Sequence, residues 1–364
     1  MADISTLFTP LQIGDTNVPN RVLMAPLTRN RAYPDGTPHE MAIEYYRQRA
    51  SAGLILTEAT QISPEGKGYI NTPGIHSEAQ VAAWKRITDA VHAGGGRIWM
   101  QLWHVGRISH TSLLPNGQPP VAPSAVRAAA QTFTENGFED TSEPRALEVA
   151  EIPRLIQDYV KAAENAKAAG FDGVEVHAAN GYLLDQFLTD GANKRTDAYG
   201  GSVENRMRLP LEVIQAVTRV WGTGRVGVRL SPFGTFNGIE ESDREGTFSA
   251  VYRALDKLGL AYLHVMEKFP GIEVSDADTE ALERLRGLWS GVYIANGDFD
   301  AATAAAWIAR DRATAVTFGR PFIANPDLPE RYRLGAALNE ADGNTFYGGD
   351  TRGYTDYPFL ERAA

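Results

Sequence analysis

His177, Asn180 and Tyr182 stand within six positions of one another, directly after the apolar run Gly173-Val-Glu-Val. His177 and Asn180 are three residues apart where a strand ends and the chain begins to turn, a spacing that can aim both side chains into one cavity. Both can donate hydrogen bonds, and two donors converging on one oxygen stabilise negative charge developing there. A buried histidine bonded to backbone, beside a turn asparagine, uses the same two residue types, so the pair alone leaves both readings open. Tyr182 is similarly double-valued. Its phenol can serve as a general acid toward a strongly basic centre, or its ring can simply pack.

Other polar groups recur at equivalent places along the chain. Thr28 follows a first apolar run, Ala59 and Thr60 end a second, and Gln101, Trp103 and His104 end a third. Arg229 ends a fifth, Asn296-Gly297 follow a seventh, and Gly319-Arg320 follow an eighth. The runs themselves read as strands over Arg21–Ala25, Leu54–Ala59, Arg97–Trp103, Gly173–His177, Arg225–Leu230, Ala261–Met266, Gly291–Ala295 and Thr314–Phe318. Helical periodicity fills the gaps, over His39–Ala52, Glu78–Ala93, Glu151–Ala169, Thr247–Leu258, Thr279–Leu288 and Ala301–Ile308. It also covers Ser202–Trp221, with a kink or restart expected at Pro210. Eight strand–helix units predict an α/β fold, a (β/α)8 TIM barrel whose site collects at the C-terminal strand ends; a doubly wound open sheet has similar alternation.

Two stretches exceed a minimal unit. His104–Val149 is a long excursion after the third strand, expected to cap the barrel mouth, and the tail after Arg333 is rich in Gly and Tyr. Neither reads as a linker, so one domain over 1–364 is expected. In the last two loops, Gly297 and Gly319 let backbone amides approach a ligand, and Arg320 can pair with phosphate oxygens. Each glycine alone is an ordinary turn; the pair in register points to a phosphate site. Asp298 is an awkward neighbour for an anion and is expected to cap the following helix. The charge runs Glu40–Arg49 and Glu280–Arg286 read as solvated helix faces.

Composition narrows the classes. The 364 residues carry 45 acidic against 35 basic side chains, a net charge of −10 that points to no nucleic-acid or anionic-membrane partner. The absence of cysteine excludes disulfides, thiolate metal sites, iron–sulfur clusters and cysteine nucleophiles. No basic stretch with a following apolar core opens Met1 to Gly14, and no run is long enough to span a bilayer, so a cytoplasmic protein is the expectation.

Four blocks carry a specific likeness: Ala25-Pro-Leu-Thr-Arg29, Gln101-Leu-Trp-His-Val-Gly-Arg107, Phe171-Asp-Gly-Val-Glu-Val-His-Ala-Ala-Asn-Gly-Tyr-Leu-Leu-Asp-Gln-Phe-Leu188 and Gly319-Arg-Pro-Phe-Ile-Ala-Asn-Pro-Asp-Leu328. With Gly353-Tyr-Thr-Asp-Tyr-Pro358, the chain resembles the old yellow enzyme family over essentially its whole length. The resemblance implies non-covalent FMN, NADH or NADPH as hydride donor, and reduction of activated C=C bonds in enones, enals, maleimides and nitroalkenes. It implies that His177 and Asn180 hold the substrate oxygen and that Tyr182 supplies a proton. Some relatives carry a second histidine where Asn180 stands. It further implies that Pro26, Thr28, Ala59, Gln101 and Arg229 contact the flavin ring, with Thr28 where another branch has cysteine, and that Leu27 and Asn296 also bind the cofactor. Gly297, Gly319 and Arg320 would hold the phosphate, and Tyr69, Trp103, Phe236 and Tyr347 would wall the substrate pocket. No metal and no macromolecular partner is implied, and the molecule is expected to be a monomer or homodimer.

Two other classes use some of the same residues. A metal-dependent hydrolase could employ His104 and His177, but no acidic or histidine set with ligand spacing accompanies them. A flavin- or steroid-binding protein without turnover is the second; intact His177 and Tyr182 weigh against it.

Overall fold

The computed structural model describes residues 3–269 and 271–361, so the expected span 1–364 reaches past the described residues at both ends. Eight parallel strands close on themselves: β1 (Val22–Met24), β2 (Ile55–Leu56), β3 (Ile98–Trp103), β4 (Gly173–His177), β5 (Val226–Leu230), β6 (Tyr262–Met266), β7 (Tyr293–Asn296) and β8 (Ala315–Phe318). Each pairs with the next, and β8 pairs with β1 to complete the ring. The second strand is shorter than the expected Leu54–Ala59. It resumes at Thr60–Gln61, and the four steps from Leu56 to Thr60 face only three from Trp99 to Leu102. One extra residue is thus accommodated as a bulge at 57–59.

Alternation along each strand sorts side chains between the barrel interior and the helical layer. Outward residues such as Ile98, Met100, Val174, Val176, Val226 and Val228 join the large core against the helices. Inward residues change character with height. At the bottom, Leu23, Leu56, Trp99, Tyr262 and Ile294 cluster with Ile13 and Val18 from an N-terminal antiparallel ribbon that plugs this end. Two strand glycines make that layer possible. A Cβ on Gly173 would lie 2.4 Å from the Trp99 ring, and one on Gly227 would lie 2.2 Å from the Tyr262 ring. Above them come Gln101, Glu175, His264 and Thr317, then Arg229 and Asn296, all buried.

The helices follow the expected segments with shifted ends; those expected from Thr247 and Thr279 begin three residues earlier, at Arg244 and Asp276. Glu78–Ala93 begins with a Ser77/Gln80 capping box, which satisfies the first free amides. Ser202–Trp221 divides at Met207 into Val203–Arg206 and Arg208–Trp221. Pro210 therefore falls in the first turn, where its missing N–H breaks no bond. The solvated reading of Glu40–Arg49 fails at its end. Arg47 and Glu44 form an exposed pair, but Arg49 is fully buried, donating to the carbonyls of Tyr45, Phe322 and Ile323. In the second run, Arg286 turns inward to Glu267 at 3.0 Å.

The excursion after β3 carries an antiparallel hairpin, Gln131–Thr134 with Gly137–Asp140, that reaches the barrel mouth. The C-terminal tail is pinned there as well. Arg29 donates to the carbonyls of Thr345, Phe346 and Gly353, and Arg31 to those of Asp350 and Arg352. Tyr354 stacks on Tyr45 with ring centres 4.1 Å apart. Among the described residues no helix is long and apolar enough to cross a membrane.

Candidate active site

A cavity of about 720 Å3 opens at the C-terminal strand ends. Its walls combine Ala25–Thr28 after β1, Arg229, Asn296-Gly297 and Gly319-Arg320, with Tyr182 following β4. Tyr69, Phe236 and Tyr347 close its outer side, joined by Phe133 and Phe138 of the hairpin. Of the residues singled out from sequence, Pro26, Leu27, Thr28, Arg229, Asn296, Gly297, Gly319, Arg320, Tyr69, Tyr182, Phe236 and Tyr347 border this space. Ala59, Gln101, Trp103, His177 and Asn180 stand one layer behind. His177 is 3% exposed, with its ring edge-on to Tyr182 at 5.2 Å. Trp103 meets Tyr182 edge-on at 5.0 Å and stacks on Tyr69 at 5.8 Å. Gln101 lies within β3 and donates to Glu175 at 2.7 Å.

The turn after β4 is built to aim these groups. Asn180 and Gly181 both have left-handed backbone, with φ of 59° and 77°. At Gly181 a Cβ would approach the Phe236 carbonyl to 2.7 Å, so only glycine fits. Backbone bonds then lock the turn: Asn180 N–H to Ser231 Oγ at 2.7 Å, Gly181 N–H to Asp185 Oδ2 at 2.8 Å, and Asn237 Nδ2 to the Asn180 carbonyl at 2.8 Å. The phenols of Tyr182 and Tyr69 lie 3.1 Å apart.

Burial, reinforced by the Arg229 charge, holds the His177 imidazole well below its ordinary pKa. The ring is therefore neutral and offers one N–H. Burial likewise raises the Tyr182 phenol, which keeps its proton. Burial lowers Arg229, against the pull of Glu175; an arginine nonetheless stays charged. His177 Nδ1, Asn180 Oδ1, Trp103 Nε1 and Arg229 Nε are buried and find no partner among the described residues. Buried polar atoms are normally satisfied, so an orphan on the cavity wall at Arg229, with three more in the layer behind it, points to a polar guest. The bare backbone at Gly297 and Gly319 borders the same space, and a Cβ on Gly319 would meet Leu27 at 3.3 Å. These residues fit a ligand with polar groups toward Arg229 and an anion toward Gly297, Gly319 and Arg320.

Several wall and support residues escaped sequence reasoning. Asn237, Ser231 and Asp185 brace the turn; the Asn237-Gly238 pair signalled only a bend, and Asp185 was hidden inside the block that carries His177. Phe133 and Phe138 sit in a loop without periodic signal. Asp298 does not cap the following helix. Asp300 does, accepting from Thr303 N–H at 2.7 Å, because it lies three residues before the third helical amide. Asp298 instead borders the cavity.

The profile of the NADH:flavin oxidoreductase / NADH oxidase family matches residues 6–339. This chain belongs to that family, the old yellow enzymes. 12-Oxophytodienoate reductase 1 of Oryza sativa subsp. japonica is 46% identical, with 98% of this chain and 93% of the rice protein covered. Chanoclavine-I aldehyde reductase fgaOx3 of Penicillium roqueforti is also 46% identical, with 98% and 97% covered. Among solved structures, morphinone reductase superposes with a TM-score of 0.94 at 54% identity, covering 97% of this chain and 96% of that one. The old yellow enzyme homologue of Zymomonas mobilis does so with 0.93 at 45%, covering 98% and 100%. Morphinone reductase is also known in complex with tetrahydroNAD. As an old yellow enzyme, this protein is an FMN-dependent oxidoreductase that moves hydride from NAD(P)H to activated carbon–carbon double bonds.

Proposed function

We propose that this old yellow enzyme reduces α,β-unsaturated aldehydes, ketones and imides and nitroalkenes, with the work divided among three residues at the end of β4 and in the turn that follows. The observation that carries the reading is the unpaired, buried Nδ1 of His177, whose ring lies edge-on to Tyr182 just behind the cavity wall that Tyr182 forms. Bound FMN supplies the hydride relay between nicotinamide and substrate. His177 and Asn180 direct their N–H groups to the substrate's carbonyl or nitro oxygen, where negative charge accumulates as the double bond is reduced. Because His177 is neutral, the polarisation is by hydrogen bonding and not by a resident positive charge. Tyr182 delivers a proton to the α-carbon, and its burial-raised pKa keeps that proton in place until a strongly basic centre forms.

Arg229, Asn296, Thr28 and Gln101 would hold the polar edge of the flavin, with Arg229 supplying a fixed positive charge there. Pro26, Leu27 and Ala59 border the ring. Gly297, Gly319 and Arg320 hold the phosphate. Tyr69, Trp103, Phe236 and Tyr347 offer aromatic surface to planar conjugated substrates. The whole chain acts as one FMN-binding barrel domain, a monomer or homodimer working in the cytoplasm where NADH and NADPH are at hand.

The test is anaerobic reduction of the purified flavoprotein with NADPH and with NADH, followed by reoxidation with 2-cyclohexenone and 1-nitrocyclohexene. Wild-type protein is reoxidised by both. Combined His177→Ala and Asn180→Ala should retain flavin but lose about 100- to 1,000-fold in kcat/KM for the enone. An unchanged value would remove these residues from substrate binding.

A further inference from the structure

Below the cavity the barrel encloses a charged centre that the reaction described above does not use. Glu175, fully buried on β4, accepts from Gln101 Nε2 at 2.7 Å through one oxygen. Through the other it accepts from the Tyr262 hydroxyl at 3.0 Å and pairs with His264 Nδ1 at 2.8 Å. His264 Nε2 lies 2.9 Å from the Thr317 hydroxyl. The arrangement follows from register. Glu175 faces Gln101 on β3 and Gly227 on β5. Because Gly227 has no side chain, the Tyr262 ring of β6 crosses over β5 to reach the carboxylate. Burial opposes ionisation of Glu175, yet His264, Arg229 and Gln101 outweigh it and hold the carboxyl below its ordinary range. Burial and Arg229 together keep His264 neutral despite Glu175. One negative charge therefore sits at the barrel's heart, level with Gln101 and beneath Arg229, both assigned above to the flavin.

An isolated charge at such depth is costly, and an apolar core would be easier to build. Its position gives it two effects. An ionised carboxylate only accepts, so the Gln101 amide must turn its NH2 group down toward Glu175 and its oxygen away. The same charge offsets part of the Arg229 field. We propose that Glu175 is a positioning residue for the flavin: it fixes Gln101 to present an acceptor to the ring and tempers Arg229, thereby lowering the midpoint potential of bound FMN. This rests on the reading that Gln101 and Arg229 face the flavin.

Glu175→Gln preserves size and can still bond its neighbours, but it removes the charge and lets the Gln101 amide flip. The expected result is a raised two-electron midpoint, with reduced FMN gaining about tenfold in binding over oxidised FMN, which is about 30 mV. The oxidised and reduced dissociation constants, measured separately, should give the same ratio. If Glu175→Gln does not fold, Tyr262→Phe serves instead. It frees an acceptor on the carboxylate, strengthens its hold on Gln101 and Arg229, and should lower the midpoint. Arg229→Gln separates the two layers of argument and should lower the midpoint as well. A Glu175→Gln midpoint that is unchanged or lowered, while Arg229→Gln shifts, overturns the role of Glu175 alone. An unmoved midpoint in Arg229→Gln overturns the flavin-facing assignment and this inference with it. A purely structural Glu175 would change thermal stability and leave the potential where it was.

Discussion

At the scale of single residues the site depends on groups kept in one protonation state. His177 stays neutral because burial and nearby positive charge both oppose its protonation, and Tyr182 keeps its proton because burial opposes its loss. Neither group should titrate over the ordinary working range. The rate at which an enone reoxidises the reduced enzyme is thus expected to be flat from about pH 6 to 9. Stopped-flow traces across that range check this, and a limb near the ordinary histidine value that persists in Asp185→Asn would contradict it. His177, Asn180 and Tyr182 could be grouped from sequence because they lie in one short block and need no long-range information. Glu175 and His264 were just as plain as polar residues inside apolar strands, yet they pair across 89 positions, and only register and the glycine at 227 bring them together.

At the scale of elements the decisive piece is the turn after β4, where two left-handed residues in succession are held by Ser231, Asp185 and Asn237. Gly181→Ala adds a Cβ against the Phe236 carbonyl in a conformation that disfavours it. Loss of about 2–3 kcal/mol is expected in urea unfolding, with activity falling further than stability. Asp185 adds a pH signature. Burial pushes its carboxyl up to about 7, from 3.8. In that window the folded state binds the proton and the unfolded state does not. Its contribution to stability is therefore complete below about pH 4 and lost as pH rises toward 7. Asp185→Asn should flatten this part of the profile in melting experiments; an identical slope in both proteins would contradict it. The turn's backbone signs follow from the Asn-Gly pair, but its braces come from three other segments, so the sequence could not specify them.

At the scale of the whole molecule, strand alternation and the recurrent polar ends pointed to a barrel and the face that carries its site, and the pairing of β8 with β1 decides against an open sheet. The bulge in β2 was hidden, because one extra residue in a buried run changes no composition or period over so short a span. The mouth was the least legible part. It is assembled from the hairpin after β3 and from the tail, which Arg29, Arg31 and Tyr354 tie down through contacts more than 300 residues apart in sequence. Replacing Tyr354 by Ala removes the stack on Tyr45 and loosens the segment that carries Tyr347. We expect a several-fold rise in KM for bulky enones and an FMN content near that of the wild type. Equal KM values would show that Tyr347 does not shape the pocket.

The division of labour after β4 is tested most directly by Tyr182→Phe in rapid-mixing experiments that follow the two half-reactions separately. Reduction of the bound flavin by NADPH or NADH should proceed within about twofold of the wild-type rate, since no proton from Tyr182 enters that step. Reoxidation by 2-cyclohexenone should slow by about 100-fold or more. A variant that is reoxidised at the wild-type rate, or that loses both half-reactions equally, would contradict the account.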